Sequence, residues 1–395
     1  MAIPFPAELG AQMKPGGAMT LENVAARRWD VAVVGAGPAG SFAAYELARR
    51  GAAVLLVDKA PFPRWKVCGA CINGRALSIL RQSGLESLVP RQGAVPLSRF
   101  RVHAGRRAAD VPLPDGAALS REALDSALVE AAIAAGCAFL PETNATLGIA
   151  TAEARAVSLQ QRSGSSQIIA SVVLAADGLA GSLLSRQPGH PMHVRPDSWI
   201  GAGTVAHHAP GSYSPGTIFM GCGREGYLGL VRVEDGRLNI AAAMNPDGIK
   251  QAGGPGRAAM AILSQAGLPD FPGLERLIWR GTPSLTRRAA RVASHRLFVL
   301  GDAAGYVEPF TGEGIAWALA SGRAVAPLAL QALSSWRPGL AAEWCARHEK
   351  TIGRRQGICS ALTAALRHRL FCRAMVFALA RAPVLAHAVA RHLNQ

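Results

Sequence analysis

The chain has 395 residues, half of them hydrophobic and only 17% charged. That length and composition exclude wholesale disorder and leave room for a sizeable core in one two-part unit or two domains. Its 42 Lys+Arg against 26 Asp+Glu give a formal charge of +16, which by itself names no partner.

Only five of the basic residues are lysines (Lys14, Lys59, Lys66, Lys250 and Lys350), and the arginines are scattered, a skew that codon bias in a GC-rich genome produces. Seven cysteines do not make a disulfide scaffold, and their odd number suits a reducing compartment. Residues 1–28 read as a loose extension without the charged-then-apolar pattern of a secretory signal. With no run of about 20 apolar residues, the expected location is the cytoplasm.

The first strong signal follows. Asp30 to Val34 is an apolar run suited to a buried parallel strand, and Gly35-Ala36-Gly37-Pro38-Ala39-Gly40 then fits G-x-G-x-x-G. A helical pattern runs to Arg50, and a second apolar run, Ala52 to Val57, leads to Asp58. Gly35 permits the tight turn, Gly37 admits a pyrophosphate to the backbone, and Gly40 lets helix and strand pack closely. The helix N-terminus offers free N–H groups to phosphate, and Asp58 is placed to accept from a ribose diol. An adenine dinucleotide is expected; the motif alone does not separate FAD from NAD.

Residues 97–114 read as strands around a turn at His103-Ala104-Gly105. The stretch 195–245 reads as an antiparallel meander near 198–206, 217–222, 226–233 and 237–244. Leu297 to Leu300 form an apolar run ending in Gly301-Asp302, followed by Ala303-Ala304-Gly305, Pro309, and Gly312-Glu313-Gly314-Ile315 at the start of an Ala-rich helix. A strand ending in Gly-Asp brings a carboxylate to a cofactor hydroxyl, and a glycine-led helix start points N–H groups at an anion. A reduced flavin ring needs that arrangement. From Gly339 the chain is helical and basic, with Arg354, Arg355, Arg367, Arg369, Arg373 and Arg381 among Leu, Phe and Met. It reads as a surface helix pair on the flavin domain, or as a face for a membrane or an anionic substrate.

Over residues 29–330 the chain resembles the FAD-dependent oxidoreductases of the p-hydroxybenzoate-hydroxylase fold, most of all their geranylgeranyl-reductase-like branch. The motifs stand in family order: Gly35 to Asp58; Pro63-Arg64-Trp65-Lys66-Val67-Cys68-Gly69; Ser120-Arg121; Ala176-Asp177-Gly178; and Gly301 to Gly314. The resemblance implies an α/β fold with an antiparallel β element, in which a Rossmann-like FAD-binding domain interleaves with a β-sheet substrate domain and a helical C-terminal region follows. The expected limits are 1–28 extension; 29–96, 118–190 and 285–338 FAD-binding; 97–117 and 191–284 substrate domain; 339–395 C-terminal helices. It implies cofactor contacts from Gly35, Gly37, Pro38, Ala39, Gly40, Asp58, Lys59, Arg64, Cys68, Gly69, Arg121, Asp177, Gly301, Asp302, Gly312, Gly314 and Ile315. Pro309, Gly312, Glu313 and Gly314 would position the ring. Three residues rather than two separate Gly178 from Ser182, which leaves Ser182 and Arg186 unassigned. The W-x-W-x-I-P of halogenating relatives is absent, and the Y-x-W-x-F-P of prenyl reductases is replaced by Tyr227-Leu228-Gly229-Leu230-Val231-Arg232.

In this reading the cofactor does the chemistry, and no Ser/His/Asp set or G-x-S-x-G suggests a hydrolase. Phe219, Tyr227, Leu230 and Met244, on one or other face of the sheet, are candidate cavity residues, Glu308 and Glu313 candidate proton carriers, and His207, His208 and Asn239 sheet-surface groups. Cys68 is expected beside the flavin and Cys71 in packing; their C-x-x-C spacing has no second pair for zinc. Arg64 is expected at the cofactor ahead of Lys66. The expected activity is an NAD(P)H- and O2-dependent monooxygenase working through a flavin C4a-hydroperoxide on a small apolar or aromatic secondary metabolite. The alternative is a reductase of prenyl or polyketide double bonds. No metal and no nucleic acid are expected, with membrane-surface contact a minor expectation.

Overall fold

The computed structural model describes residues 19–382 apart from 106, 186, 188, 309 and 311. Strand Trp29–Val34 is the centre of a parallel sheet, flanked by Val54–Val57 and by the second half of the long strand Gly164–Ala175. Ala138–Leu140 and Leu297–Val299 extend it on either side, also in parallel. These strands read as continuous Val/Leu/Ala runs because both faces are covered. Helices Pro38–Ala48, Arg121–Ala134 and Gly314–Ser334 cover one face. The other face packs under strand Arg155–Gln161, antiparallel to the first half of Gly164–Ala175, and strand Asn144–Ala150, antiparallel to Arg155–Gln161 in turn. The C-terminal ends of the parallel strands therefore open toward the loops at 35–40, 58–70, 176–183 and 300–314.

A seven-stranded sheet forms the second half, in the order Arg280–Ser284, Ile200–Ala206, Leu238–Met244, Gly226–Arg232, Thr217–Cys222, Arg99–Ala104 and Arg107–Pro112. The expected meander holds from 217 to 244. Ile200–Ala206 departs from it by lying beside Leu238–Met244, a Greek-key return. The Arg99–Ala104 strand pairs parallel with Thr217–Cys222 and runs through His103 and Ala104, so the turn falls after them. Helices Pro246–Ala252 and Pro255–Ala266 pack on one face, where Phe219, Leu230 and Met244 join their core. The other face looks toward the parallel-sheet half. Strand Gly116–Ala118 belongs to a separate small sheet with Cys71–Asn73 and Val95–Pro96.

The tail divides its contacts. Helix Pro338–His348 packs on the parallel-sheet half through Leu340 and Trp344. Helix Arg369–Arg381 lies instead against the antiparallel sheet, its Cys372 and Val376 packed with Val102, Ala104 and Met220. The expected helix pair on one domain is thus a strap across both halves. The reason is alternation: Val102, Ala104 and Met220 point away from the Pro246–Ala266 helices and need cover.

Trp344 is fully buried, packs on Phe298 and donates its indole N–H to the Val299 carbonyl at 3.2 Å. Replacing it with alanine is expected to cost about 3–5 kcal/mol of unfolding free energy. Denaturant titration checks this; a loss below about 1 kcal/mol would mean the tail is not anchored there.

Candidate active site

The loop after the first strand is held by backbone contacts. Gly35 has φ +105°, and a Cβ there would sit 2.3 Å from the Ala176 carbonyl oxygen. A Cβ on Gly40 would lie 1.9 Å from the Gly35 oxygen. Gly37 differs: the nearest atoms to its Cβ position are the Arg121 and Arg64 guanidinium nitrogens at 3.7 and 3.8 Å, ordinary contact distances. The protein itself does not demand glycine there. Gly37, Pro38 and Ala39 instead line a cavity of about 490 Å3 between the two halves.

Charged side chains gather behind and around that loop. Asp58 accepts from the N–H groups of Ala36 (2.7 Å) and Ala60 (2.9 Å) and from Arg64 (3.2 Å). Arg64 also lies 3.4 Å from Asp125, which forms a two-pronged pair with Arg121 at 2.8 Å. Asp125 is fully buried and was missed from sequence, although its i,i+4 spacing from Arg121 was the available signal. Both Arg64 and Lys66 stand at this loop, Arg64 with its guanidinium 3.8 Å from the Gly37 Cβ position. Arg64 is turned onto the two carboxylates, while Lys66 reaches the cavity wall with Lys59 and Arg121. Burial, then Arg64 and Arg121, push the Lys66 ammonium down to about 8.

Asp177 and Asp302 line the same cavity, and burial raises both carboxyls above their ordinary range. One Asp177 oxygen accepts from Leu183 N–H (2.7 Å) and Ser182 hydroxyl (3.2 Å); the other is buried without a partner among the described residues. Gly301 sits at φ +55° one step back, donating its N–H to Ser321 at 3.0 Å. Gly312, Gly314 and Ile315 line the wall where helix Gly314–Ser334 begins. Glu313 is its buried N-cap, 4.0 Å from Arg355, and does not line the cavity. Pro309 and Arg186 fall outside the described residues.

Cys68, Gly69 and Cys71 all border the cavity, and both thiols are free. Cys71 is therefore a wall residue rather than packing alone, with its thiol pushed up by burial. Asn239 is not a surface group either. It is buried and donates to the Cys68 carbonyl at 2.8 Å, tying this loop to the antiparallel sheet. Across from the charged groups, Phe100, Ile218, Met220, Tyr227, Val231 and Phe310 present an apolar wall. Of the four predicted cavity residues Tyr227 and Leu230 line it, Leu230 also joining the core behind the sheet, whereas Phe219 and Met244 belong to that core alone. Glu308 is buried next to this wall and paired with Arg367 at 3.1 Å.

A family model described as an FAD binding domain matches residues 28–327. The chain belongs to this FAD-binding family. Conditioned medium factor receptor 1 of Dictyostelium discoideum is 28% identical over 78% of this chain and 64% of its own length, so the chain spans less than two thirds of that protein. Menaquinone reductase of Mycobacterium tuberculosis is 29% identical over 76% of each chain. Digeranylgeranylglycerophospholipid reductase 2 of Methanothermobacter thermautotrophicus is 28% identical over 78% of this chain and 80% of its own. In fold, the chain is similar to the flavin-dependent brominase Bmp2, with TM-score 0.78, 17% identity and coverage of 93% and 94%. It is likewise similar to a geranylgeranyl bacteriochlorophyll reductase-like protein of Thermoplasma acidophilum, with TM-score 0.75, 20% identity and coverage of 92% and 96%.

The residues present fit FAD. The space over Gly37 is a cradle that a side chain would fill, and Asp177, which lines the same cavity, keeps one buried oxygen without a partner among the described residues. Lys66 and Arg121 would face the diphosphate, and Asp177 and Asp302 the hydroxyls, with the start of helix Gly314–Ser334 toward the ring. The two loop glycines should fail differently. Gly40→Ala is expected to destabilise the fold, whereas Gly37→Ala should keep the apo-protein melting temperature and weaken FAD binding about tenfold or more. Thermal melts alongside FAD fluorescence titration separate the two. Lys66 adds a pH signature. A diphosphate beside it favours the ammonium, so binding near pH 8 takes up a proton, and affinity falls as pH rises through that range and levels off below it. Calorimetry in two buffers of different ionisation enthalpy should show the uptake, and Lys66→Met should remove it.

Proposed function

We propose that the protein is an FAD-dependent reductase that saturates a carbon–carbon double bond in an apolar, isoprenoid-type substrate, with NAD(P)H as the electron donor. The observation that carries this reading is the chemistry of the cavity's substrate half. Its wall is apolar, its ionisable rim residues Asp115 and Arg280 are exposed, and it carries two phenols, Tyr227 and Tyr306, while the Thr282 hydroxyl is taken up by the Gly201 N–H and the Pro283 carbonyl. Burial holds both phenols well above their ordinary range and hence protonated. Among the described lining residues of that half, no carboxylate or imidazole is placed to activate a phenolic substrate by deprotonation. A double bond needs the opposite, a neutral donor that delivers one proton.

Bound FAD supplies two-electron redox chemistry. The protein's part is to orient and to exclude water. Asn239 fixes the Cys68 loop against the sheet, and Phe100, Phe310 and Tyr227 pack edge to face to close the far side. Tyr306 adjoins the charged half, feeling Asp302 and Cys68 as well as Glu308. It is assigned as the donor that completes the second C–H bond. Menaquinone reductase and digeranylgeranylglycerophospholipid reductase, named for isoprenoid lipids, support the same substrate class.

Monooxygenation is the second reading, and Gly229 favours it. Where prenyl reductases of the resembling branch carry Trp, Gly229 brings only backbone to the wall between Tyr227 and Val231, with the flexible Met220 side chain 3.4 Å from its Cβ position. Arg232, standing in place of Pro, is consumed by the carbonyls of Ala209, Pro210, Tyr213 and Gly236. A wider ring system would fit such a wall.

The two readings part under nitrogen. With a panel of prenylated quinones, prenyl lipids and aromatic compounds, a reductase oxidises NAD(P)H anaerobically and its product gains two hydrogens. A monooxygenase turns over only with O2 and places one labelled oxygen atom in the product, which would overturn the first reading. For the reductase, Tyr306→Phe is expected to lower turnover about 10²-fold with FAD binding unchanged. An unaltered rate would remove Tyr306 from the proton path.

A further inference from the structure

The last two described helices, Arg354–Leu366 and Arg369–Arg381, carry an outward face that the active site does not use. Ile358 is 57% exposed, Leu370 81% and Phe371 48%. Val194, 45% exposed, stands on a strand tied to the first of these helices by Arg195, which donates to Ser360 at 3.2 Å. Four of the seven large hydrophobic side chains exposed among the described residues thus belong to this one region. Such clustering is not the scatter of ordinary surface apolar groups.

Charge gathers at the same place. Residues 351–382 contain six arginines and no Asp or Glu. Arg367 and Arg355 are engaged inward, with Glu308 and Glu313. Arg354 and Arg373 are exposed and have no carboxylate partner among the described residues. Arg381 and the neighbouring strand's Arg107 both stack over the Phe377 ring, 4.4 and 4.5 Å from its centroid. Exposed Leu and Phe flanked by unpaired arginines are the pattern of a helix lying in a bilayer interface, apolar tips among acyl chains and guanidinium groups among phosphates.

We propose that this face docks on an anionic phospholipid bilayer. A polyanion such as nucleic acid satisfies the arginines but gives nothing for burying Leu370 and Phe371, and a second copy of this chain, itself strongly basic, repels them. The inner side of the same helix adds a consequence: Cys372 and Val376 pack on Met220, and Met220 lines the cavity. The docked face therefore lies one helix away from the substrate half, in reach of a substrate dissolved in the membrane.

The test uses the full-length, FAD-loaded protein and reads vesicle binding without turnover, so it stands or falls apart from the reaction assigned to the cavity. Flotation is measured with neutral phosphatidylcholine vesicles and with vesicles containing about 30% phosphatidylglycerol, since each arginine near an anionic surface contributes about fivefold in affinity. Wild type is expected to float with the anionic vesicles, at least tenfold more tightly than with the neutral ones. The double variant Leu370→Glu/Phe371→Glu should remain in the unbound fraction. Arg354→Glu/Arg373→Glu should lose the preference for anionic lipid. All these positions are exposed, so unchanged circular dichroism and FAD content are expected. Wild type that stays unbound, or variants that float as wild type does, would overturn the proposal. It would equally be overturned by light scattering that shows a dimer dispersed by Leu370→Glu/Phe371→Glu, or by a nucleic-acid oligomer bound more tightly than the anionic vesicles.

Discussion

The structure depends on a few backbone segments brought closer together than side chains allow. Gly35 lies against Ala176, Gly40 against Gly35, and Gly322 of the long helix 2.7 Å, at its Cβ position, from the Ala39 carbonyl. These contacts clamp three sequence-distant pieces together: the loop after the first strand, the end of strand Gly164–Ala175, and helix Gly314–Ser334. Only because they meet do Asp177, Asp302 and the start of that helix face one cavity. A Rossmann-like loop is often described through its contacts with phosphate. In this chain two of its three glycines serve the protein's own packing and the middle one alone keeps space for a ligand.

That clamp also explains the charge arrangement. Four cations, Lys59, Arg64, Lys66 and Arg121, stand with four carboxylates, Asp58, Asp125, Asp177 and Asp302, within or directly behind one wall. Burying a charge without a partner is costly, so the site is close to neutral before any ligand arrives. Asp58 and Asp125 neutralise Arg64 and Arg121 from the second layer, while Lys66 faces the cavity without a salt bridge among the described residues. The +16 of the whole chain is therefore not a cofactor-site property.

Much of this was legible in sequence because its causes are local. Strand, glycine turn, helix and terminal acid between residues 30 and 58 are consecutive, as are Gly301-Asp302 and the Gly312–Ile315 segment. What sequence concealed was set by partners far along the chain. Lys66 and Arg64 differ by two positions in an irregular loop, and the pairing of Arg64 with Asp125 on a remote helix is invisible until the two are brought together. Asn239 reads as a sheet-surface polar group until the Cys68 carbonyl is placed beside it. The Greek-key return of Ile200–Ala206 follows from which neighbour buries its face, which no local pattern encodes. Phe219 and Met244 lie in the core behind the sheet, because alternation along each strand sends every second side chain to the helix-covered face.

The tail shows how one segment answers several needs. Trp344 locks it to the parallel sheet, Cys372 and Val376 cover the antiparallel sheet, and Arg367 joins Glu308 while reaching Asp197 at 2.9 Å and stacking over Trp199. Glu308 is fully buried with its carboxyl raised by desolvation and held by that single guanidinium, so Arg367 is where the strap meets the turn that leads to Gly312. Each half of the molecule has its own core, and the strap crosses from one to the other. The excess arginines that neutral packing at the cofactor site does not need are left on its outer face, beside the exposed Leu370 and Phe371. Their position follows from the same division: inward-facing members of these helices are apolar or paired, and the remainder have only solvent, or a bilayer, to meet.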